Sequence, residues 1–443
     1  MKVMKFGGTS VGTAARFKDV ARLITDGDTN IVVLSAMSGT TNSLVEISDY
    51  LAKGNVTGAR ETLSKLEEKY NATVTELFDS LDSEAEAQVR SKVREQLDVV
   101  RAMEPSTFDD AAARSVLARG EMMSTAMMHG YLRACGVDAR MLPALDFMRT
   151  DAYGEPDTRY LREALARSMS DAGDTDIYIT QGFICRNADG EIDNLKRGGS
   201  DYTASLIGAA INASEIQIWT DIDGMHNNDP RFVEHTSPVD SLHFEEAAEL
   251  AYFGAKILHP TCVLPAKLVN IPVRLLNTMC PEAPGTTIYN ASPTRSIKAI
   301  AAKDNITAIK IKSGRMLLAY GFLRKVFEIF EEHRTPIDMI TTSEVGVSVT
   351  VDDDRSLPAI LDELKKFGTV TVDRDMVIIC VVGDMEWTNC GFEADVVNAL
   401  RDVPVRMISY GGSNYNISLL VRREDKIKAL NLLSDYLFNK SDR

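Results

Sequence analysis

Through roughly its first 290 residues the chain alternates short apolar runs with stretches of helical period, and that alternation confines it to layered α/β architectures with a largely parallel sheet. Strand-like runs fall at residues 3–6, 31–35, 177–181 and 216–220, and helix-like stretches at 14–25 and 202–212. Residues 57–101 are rich in Ala, Leu, Glu, Lys and Arg and lack an internal proline, which predicts two long helices; residues 109–134 continue the helical pattern after Pro105. These read as a helical insert covering one face of the sheet.

At 443 residues the chain exceeds what one core usually supports, and a tract at residues 281–293 with three prolines and few apolar residues places a domain boundary near residue 290. Beyond it, strand 307–312, helix 322–332, strands 337–341 and 345–351, helix 356–367 and strand 369–372 spell β-α-β-β-α-β, a ferredoxin-like module. A second copy follows with strand 376–382, helix 392–400, strands 405–410 and 416–421 and helix 424–438, and then lacks its last strand. Residues 296–302 are strand-like and are expected to supply it. The first module, about 305–375, is then inserted in a second made of about 296–302 plus 376–443.

The composition, 44% hydrophobic and 26% charged, is that of an ordinary globular protein, and a formal charge of -15 argues against a surface built for nucleic acid or anionic membrane. Any phosphate site must be local. Six cysteines without a C-x-x-C pair suit reduced thiols, mostly core filler, in a cytoplasmic protein. The apolar run ending at Phe6 is broken too soon by Gly7 and Gly8 for a signal peptide, and no stretch approaches ~18 uncharged apolar residues.

Lys5-Phe6-Gly7-Gly8-Thr9-Ser10 follows a strand and precedes a helix. Amides at Gly7 and Gly8, free of side-chain bulk, can face phosphate oxygens while Lys5 and the helix dipole add positive potential. It is not a Walker loop, and G-x-G-x-x-G and H-R-D are also absent. On spacing alone, a glycine turn beside an incidental lysine explains it equally well. Arg197-Gly198-Gly199-Ser200-Asp201 is a second Gly-Gly turn entering a helix, with a guanidinium able to grip a carboxylate through two bonds, hydroxyl and amide donors, and one acid. The competing reading has Ser200 or Asp201 merely capping helix 202–212. Thr220-Asp221-Ile222-Asp223-Gly224, His226 and Asn228-Asp229-Pro230-Arg231 set acids, an imidazole and a guanidinium at a strand's carboxyl end, where ligands of open α/β sheets bind, although paired aspartates are also ordinary turn formers. Gly254-Ala255-Lys256 and His259-Pro260 are weaker signals. Glu121 lies in an otherwise apolar helical stretch with Met122, Met123, Met127 and Met128, where an unpaired carboxylate is costly, so it is expected to have a partner, in a site or in a structural ion pair.

Taken together, KFGGTS at Lys5 to Ser10, Arg119-Gly120-Glu121, RGGSD at Arg197 to Asp201, WTDIDG at Trp219 to Gly224, Asp229-Pro230-Arg231 and FGAKILHP at Phe253 to Pro260 closely resemble, in order and spacing, the aspartate kinases of the amino-acid kinase family. The resemblance covers essentially the whole chain, because the tail looks like the paired ACT modules of that family, with Ile340-Thr341-Thr342-Ser343-Glu344 in the first. It implies a three-layer amino-acid kinase (carbamate kinase-like) fold over residues 1–290 and two ferredoxin-like ACT modules in residues 291–443. It further implies transfer of a phosphoryl group from ATP to L-aspartate, giving 4-phospho-L-aspartate at the entry to lysine, threonine and methionine synthesis.

By the same resemblance, Lys5 neutralises charge on the transferred group, Gly7, Gly8 and Thr9 cradle it, and Asp201 orients the lysine. Arg197 holds the substrate's α-carboxylate and Glu121 faces its ammonium group, with Ser35, Thr41, Phe183 and Ser200 lining the pocket. The nucleotide lies against Thr220, Asp221, His226, Arg231 and Lys256, with Mg²⁺ bridging phosphate oxygens and no protein-held metal cluster. His226 stands where lysine-sensitive members of the family usually carry tyrosine. An effector pocket of Met316, Gly321, Phe322, Leu323, Asp338, Ser343 and Glu344 implies feedback inhibition, by lysine in preference to threonine; the alternative leaves Asp338 and Glu344 as solvated strand ends. ACT-like modules present sheet edges that pair, so a homo-oligomer, at least a dimer, is expected. Two rivals remain: another amino-acid kinase, acting on glutamate, acetylglutamate, carbamate or UMP, and a catalytically silent amino-acid sensor. The helical insert and the doubled tail disfavour the first, and intact Lys5, Glu121, Arg197 and Asp201 the second.

Overall fold

The computed structural model describes residues 1–25, 27–195, 198–254, 259–291, 296–313 and 320–439. The chain divides into two compact units, Met1–Met225 with Leu258–Ala291, and His226–Ile257 with Ser292–Arg443. Elements are numbered along the chain through both.

Unit 1 begins β1 (Lys2–Phe6), α1 (Ala14–Ile24), β2 (Asn30–Leu34), and then a helical stretch of α2 (Thr40–Ala52), α3 (Val56–Leu77), α4 (Ser83–Arg101) and α5 (Asp110–Ala134). It continues β3 (Ala139–Met141), α6 (Ala144–Phe147), α7 (Thr158–Ala172), β4 (Ile177–Gln181), β5 (Ile184–Arg186), β6 (Ile192–Asn194), α8 (Gly199–Ile211) and β7 (Ile216–Thr220). After β8 (Ser241–His243) and α9 (Phe244–Tyr252), which belong to unit 2, come α10 (Pro260–Leu268), β9 (Val273–Asn277) and β10 (Thr286–Tyr289).

Strands β2 and β4 are buried at every position and β1 and β7 at all but one, the mark of a parallel sheet covered on both faces. The order is β3-β4-β2-β1-β7-β9-β10, all parallel except β10 against β9. The chain leaves β1 toward β2 and returns on its other side with β7, so the strand order reverses at β1 and opens a crevice at the carboxyl ends there. The helices start on side-chain caps: Thr13 for α1, Asn55 for α3, Asp82 for α4 and Asp109 for α5. Tyr70 and Val74 of α3, Val93 and Leu97 of α4 and Met123 and Met127 of α5 share one core with Phe17 of α1 and Val32 of β2.

In unit 2, β11 (Ile297–Lys312), α11 (Phe322–Glu332), β12 (Ile340–Ser343), β13 (Gly346–Val351), α12 (Leu357–Leu364), β14 (Thr369–Gly383), α13 (Phe392–Ala399), β15 (Met407–Tyr410), β16 (Asn416–Arg422) and α14 (Lys426–Leu437) follow β8 and α9. Among the described residues the sheet runs β12-β13-β11-β14-β16-β15 and is antiparallel throughout. Strands β11 and β14 each run through both repeats: Ile297 to Lys303 pairs with Gly383 to Ile378, and Ala308 to Lys312 with Asp373 to Thr369. Register shifts around Ile306, with Asn305 at φ +61° and Asp375 at φ +53°, bend the pair between the repeats. Each half closes its own core, one around Ile309, Phe330 and Ile360, the other around Ile379, Leu419 and Leu433.

Of the six cysteines, Cys185, Cys262 and Cys380 are buried, whereas Cys135, Cys280 and Cys390 are exposed, so the core-filler expectation holds for half of them. No helix among the described residues is long and apolar enough to cross a membrane. Leu419 is fully buried on β16, while its cross-strand partner Ile408 on the edge strand is 43% exposed. Leu419→Ala is therefore expected to cost about 2–5 kcal/mol, and Ile408→Ala about 1 kcal/mol or less, in urea denaturation of the full chain.

Candidate functional site

The carboxyl ends of β1, β2, β4 and β7 bring their turns to one edge of the unit 1 sheet. Lys5, next to last in β1, is mostly buried, and its Nζ lies 2.6 Å from Asp201 Oδ1. The Gly7 amide donates to the Trp219 carbonyl at 3.2 Å, and the Trp219 ring stacks on Phe6 with centroids 5.7 Å apart. A Cβ on Gly8 would stand 2.8 Å from the Ala36 carbonyl oxygen, and the Ser38 amide donates to the Gly8 carbonyl at 3.0 Å. Only glycine allows the turns after β1 and β2 to lie this close. The Gly8 and Thr9 amides donate to no acceptor among the described residues. A Cβ on Gly7 would stand 3.5 Å from Lys5 Nζ, so the ammonium lies against the turn that carries the two spare amides, and this combination fits the phosphates of a nucleotide.

The second Gly-Gly turn differs from the reading in which Ser200 or Asp201 caps a helix at residue 202. α8 begins at Gly199, three residues earlier, and Gly198 occupies the cap in a left-handed conformation, φ +78°, with no side-chain bond. A Cβ on Gly198 would meet Cys262 Sγ at 2.5 Å and His259 Cβ at 2.9 Å; one on Gly199 would meet the Phe183 ring at 2.3 Å. Ser200 and Asp201 thus occupy the first helical turn, where the macrodipole favours the Asp201 carboxylate. Phe183 itself sits at φ +69°, rare for a bulky residue, and is held there by its amide bonding Thr203 Oγ1 at 3.0 Å and its carbonyl accepting from Leu195 at 2.7 Å. A Cβ on Gly182 would stand 2.5 Å from Ser200 Cβ, so the β4 turn is wedged against the head of α8. Burial, reinforced by the Asp201 charge, pushes the Cys262 thiol up to about 12 and keeps it neutral. Arg197 lies outside the described residues.

Glu121 is 4% exposed in the middle of α5. Its partner is the Ala36 amide, which donates to Oε1 at 3.2 Å; among the described residues no cation pairs with it. Burial pushes its carboxyl up to about 7 against the opposing pull of backbone hydrogen bonds, the first from Ala36. A Cβ on Gly120 would fall 2.7 Å from Ala36 Cβ, so the glycine before Glu121 is what lets α5 approach the β2 turn. Ser35 lies in that turn, its amide bonded to the Phe6 carbonyl at 3.1 Å and its carbonyl accepting from Ser124 Oγ at 2.8 Å. Thr41 is exposed in the first turn of α2.

The remaining candidates fall into separate groups. Thr220 ends β7 in unit 1 and Asp221 follows it, the two joined at 3.1 Å, whereas His226 and Arg231 belong to unit 2. There His226 Nδ1 meets Thr236 Oγ1 at 2.9 Å, and Arg231 forks onto Asp229 at 2.6 and 3.0 Å. Lys256 lies outside the described residues. Around the first repeat, Gly321 caps α11 at φ +78°, Phe322 is buried, Leu323 is partly exposed, and Ser343 and Glu344 are exposed at the β12–β13 turn; Met316 is outside the described residues. Asp338 is no solvated strand end: its side chain is 1% exposed, and Oδ1 accepts from Lys303 Nζ at 2.6 Å and the Tyr252 hydroxyl at 3.0 Å. Its Oδ2 is buried without a partner among the described residues. Sequence reasoning missed Thr203, Ala36 and Cys262, because each acts through a backbone group or a close approach that no residue type announces.

The family model described as amino acid kinase family matches residues 1–277, and one described as ACT domain matches residues 379–437. The chain is 36% identical to "Aspartokinase 1, chloroplastic" of Arabidopsis thaliana, over 99% of this chain and 80% of that one. It is 34% identical to "Lysine-sensitive aspartokinase 3" of Escherichia coli (strain K12), over 98% of this chain and 99% of that one. The solved structure of E. coli aspartokinase III in complex with aspartate and ADP (R-state) superposes with a TM-score of 0.82 at 33% identity, covering 99% of this chain and 100% of the other. With its glycine turns, buried ion pair and doubled antiparallel tail, the chain belongs to the amino acid kinase family, among the aspartokinases.

Proposed function

We propose that the chain transfers the γ-phosphoryl group of ATP to the side-chain carboxylate of L-aspartate, releasing ADP and 4-phospho-L-aspartate at the entry to lysine, threonine and methionine synthesis. The carrying observation is the Lys5 ammonium, 2.6 Å from Asp201 and against Gly7 of the turn that carries the spare amides of Gly8 and Thr9. A carboxylate oxygen attacks the γ-phosphorus and the bond to the ADP oxygen breaks. The nucleophile is already ionised, so no general base is needed, and positioning with charge neutralisation suffices. Lys5 meets the charge on the transferred group, Asp201 orients Lys5, and Gly7, Gly8 and Thr9 cradle the phosphates. Bound Mg²⁺ would supply further neutralisation between phosphate oxygens. Thr220, Asp221, His226, Arg231 and Lys256 complete the nucleotide contacts in this reading. Arg197 takes the α-carboxylate of aspartate, Glu121 its ammonium, and Ser35, Thr41, Phe183 and Ser200 line the pocket.

Residues 1–290 act as the catalytic domain and 291–443 as a regulatory region of two ACT modules, the first inserted in the second. Similarity to a lysine-sensitive relative and the buried oxygen of Asp338 that has no partner among the described residues support inhibition by lysine rather than threonine, at a pocket of Met316, Gly321, Phe322, Leu323, Asp338, Ser343 and Glu344. The exposed edge strand β12 supports a homodimer at least, and free thiols support a cytoplasmic setting.

A hydroxamate assay with ATP, Mg²⁺, hydroxylamine and alternative acids should show turnover with aspartate; turnover only with another acid, or none, overturns the assignment. Lys5→Ala should lower turnover by on the order of 10² to 10³, and near-normal activity would remove its role. Millimolar lysine should inhibit, with threonine weaker; activity unchanged by both would remove the regulatory reading. Because the folded pKa of Glu121 is raised, stability is lost as pH rises from about 4.5 through about 7, where the buried group must ionise. Glu121→Gln should therefore stabilise the fold on the order of 2–3 kcal/mol at pH 8 and little at pH 5, by thermal or urea denaturation, while raising the KM for aspartate roughly 10–100-fold. A pH-independent stability difference would contradict this ionisation.

A further inference from the structure

The backbone turn at Phe183 is held by one side chain, which the phosphoryl-transfer reading leaves unused. The Ile184 amide donates to the Gly182 carbonyl at 2.7 Å across Phe183 at φ +69°, the bond and the hand of a classic γ-turn, which is rare and strained. Both flanks are fixed by backbone groups. The Gly182 amide continues the sheet by donating to the Leu34 carbonyl at 2.9 Å, and the Phe183 carbonyl accepts from the Leu195 amide at 2.7 Å. The Phe183 amide is the exception: its one acceptor among the described residues is Thr203 Oγ1, at 3.0 Å.

Thr203 is fully buried in the second turn of α8, and its hydroxyl donates to the Gly199 carbonyl at 2.9 Å. A threonine bonded only to the carbonyl four residues back is ordinary inside a helix. The second bond is not: it ties a turn 20 residues away to the carbonyl that opens α8, two residues before Asp201. The Phe183 ring completes the contact, lying 2.3 Å from where a Cβ on Gly199 would fall. A hydroxyl that accepts from one element and donates to the other is therefore the link between the turn after β4 and the head of α8.

We propose that Thr203 is a positioning residue for the aspartate side of the reaction: its hydroxyl holds Phe183 in the strained turn, so that the ring stays against the head of α8, which carries Ser200 and Asp201. The proposal rests on the reading of Phe183 and Ser200 as walls of the aspartate pocket. With a methyl group in place of the hydroxyl, the Phe183 amide loses its acceptor, and the turn relaxes to a negative φ that carries the ring off Gly199. The phosphate end is spared, since Lys5, Gly8 and Thr9 stand in β1 and the turn after it.

The test uses the full chain in the hydroxamate assay, with aspartate and ATP varied in turn. Thr203→Val keeps the shape and loses the hydroxyl, and should lower kcat/KM for aspartate by roughly 10–100-fold while the KM for ATP stays within about twofold. Thr203→Ser retains the hydroxyl and should keep kcat/KM for aspartate within about threefold of the unaltered chain. In a Phe183→Gly background there is no ring to place and glycine takes a positive φ without strain, so adding Thr203→Val should change kcat/KM for aspartate by less than about threefold. Unaltered aspartate kinetics in Thr203→Val, equal losses in the serine and valine variants, a KM for ATP raised as much as that for aspartate, or an undiminished valine effect without the ring overturns the proposal. If Thr203→Val shows no folding transition on heating, Thr203→Ala takes its place; if neither folds, the hydroxyl serves folding and the positioning role falls. If the unaltered chain does not turn over aspartate, the functional reading fails and this role with it; if it does and the variants depart from these outcomes, only the role of Thr203 fails.

Discussion

An ammonium group can be placed at the end of a central, fully covered strand only if a carboxylate meets it, and the Lys5–Asp201 pair at 2.6 Å is the contact around which unit 1 is arranged. Lys5 lies on the strand where the sheet order reverses, so the charge stands in the crevice that this reversal opens. Asp201 reaches it because α8 begins at Gly199, which a side chain at either glycine of the turn would prevent: Phe183 blocks one position, and Cys262 with His259 the other. Every element around the pair is therefore specified by what cannot be there. Gly8 admits the Ala36 carbonyl, Gly120 admits the Ala36 side chain, and Gly182 admits Ser200. The ion pair, the spare amides and Glu121 are consequences of that one closely packed edge.

This also explains which parts of the site could be read from sequence. β2 and β4 are apolar throughout, because both faces are covered, and β1 and β7 nearly so; such runs identify themselves. The glycine turns were visible as residue types but not as geometry. Glycine has poor helical propensity, so a helix starting at residue 202 is the natural expectation, yet packing against Phe183 and Cys262 extends it back to Gly199. Glu121 was legible as a carboxylate needing a partner, but the partner is the backbone amide of Ala36, 85 residues away, and an amide carries no sequence signature. Around Asn305 and Asp375 the chain looks interrupted, whereas β11 and β14 absorb the interruption as bends and carry the sheet across it. The pairing of Asp338 with Lys303, 35 residues away, was beyond reach for the same reason as that of Glu121.

Those two carboxylates pose the same physical problem and solve it differently. Glu121 is buried with backbone donors as its only described partners, and burial lifts its carboxyl to about 7, so near neutral pH it is poised between protonation and acceptance of a cation. Asp338 is also raised by burial, but an ammonium of its own chain already opposes that rise, with a second carboxylate, Asp352, pushing it back up. On the proposed reading both receive the ammonium of an amino acid, one as substrate and one as effector. A substrate site gains from an empty carboxylate, since the full desolvated attraction then goes to the ligand. A regulatory site can use an occupied one, because a ligand that interacts differently with two arrangements of the resident pair shifts the balance between them. On that reading, the presence of Lys303 beside Asp338, and the absence of any such cation beside Glu121 among the described residues, is what separates the effector carboxylate from the substrate one.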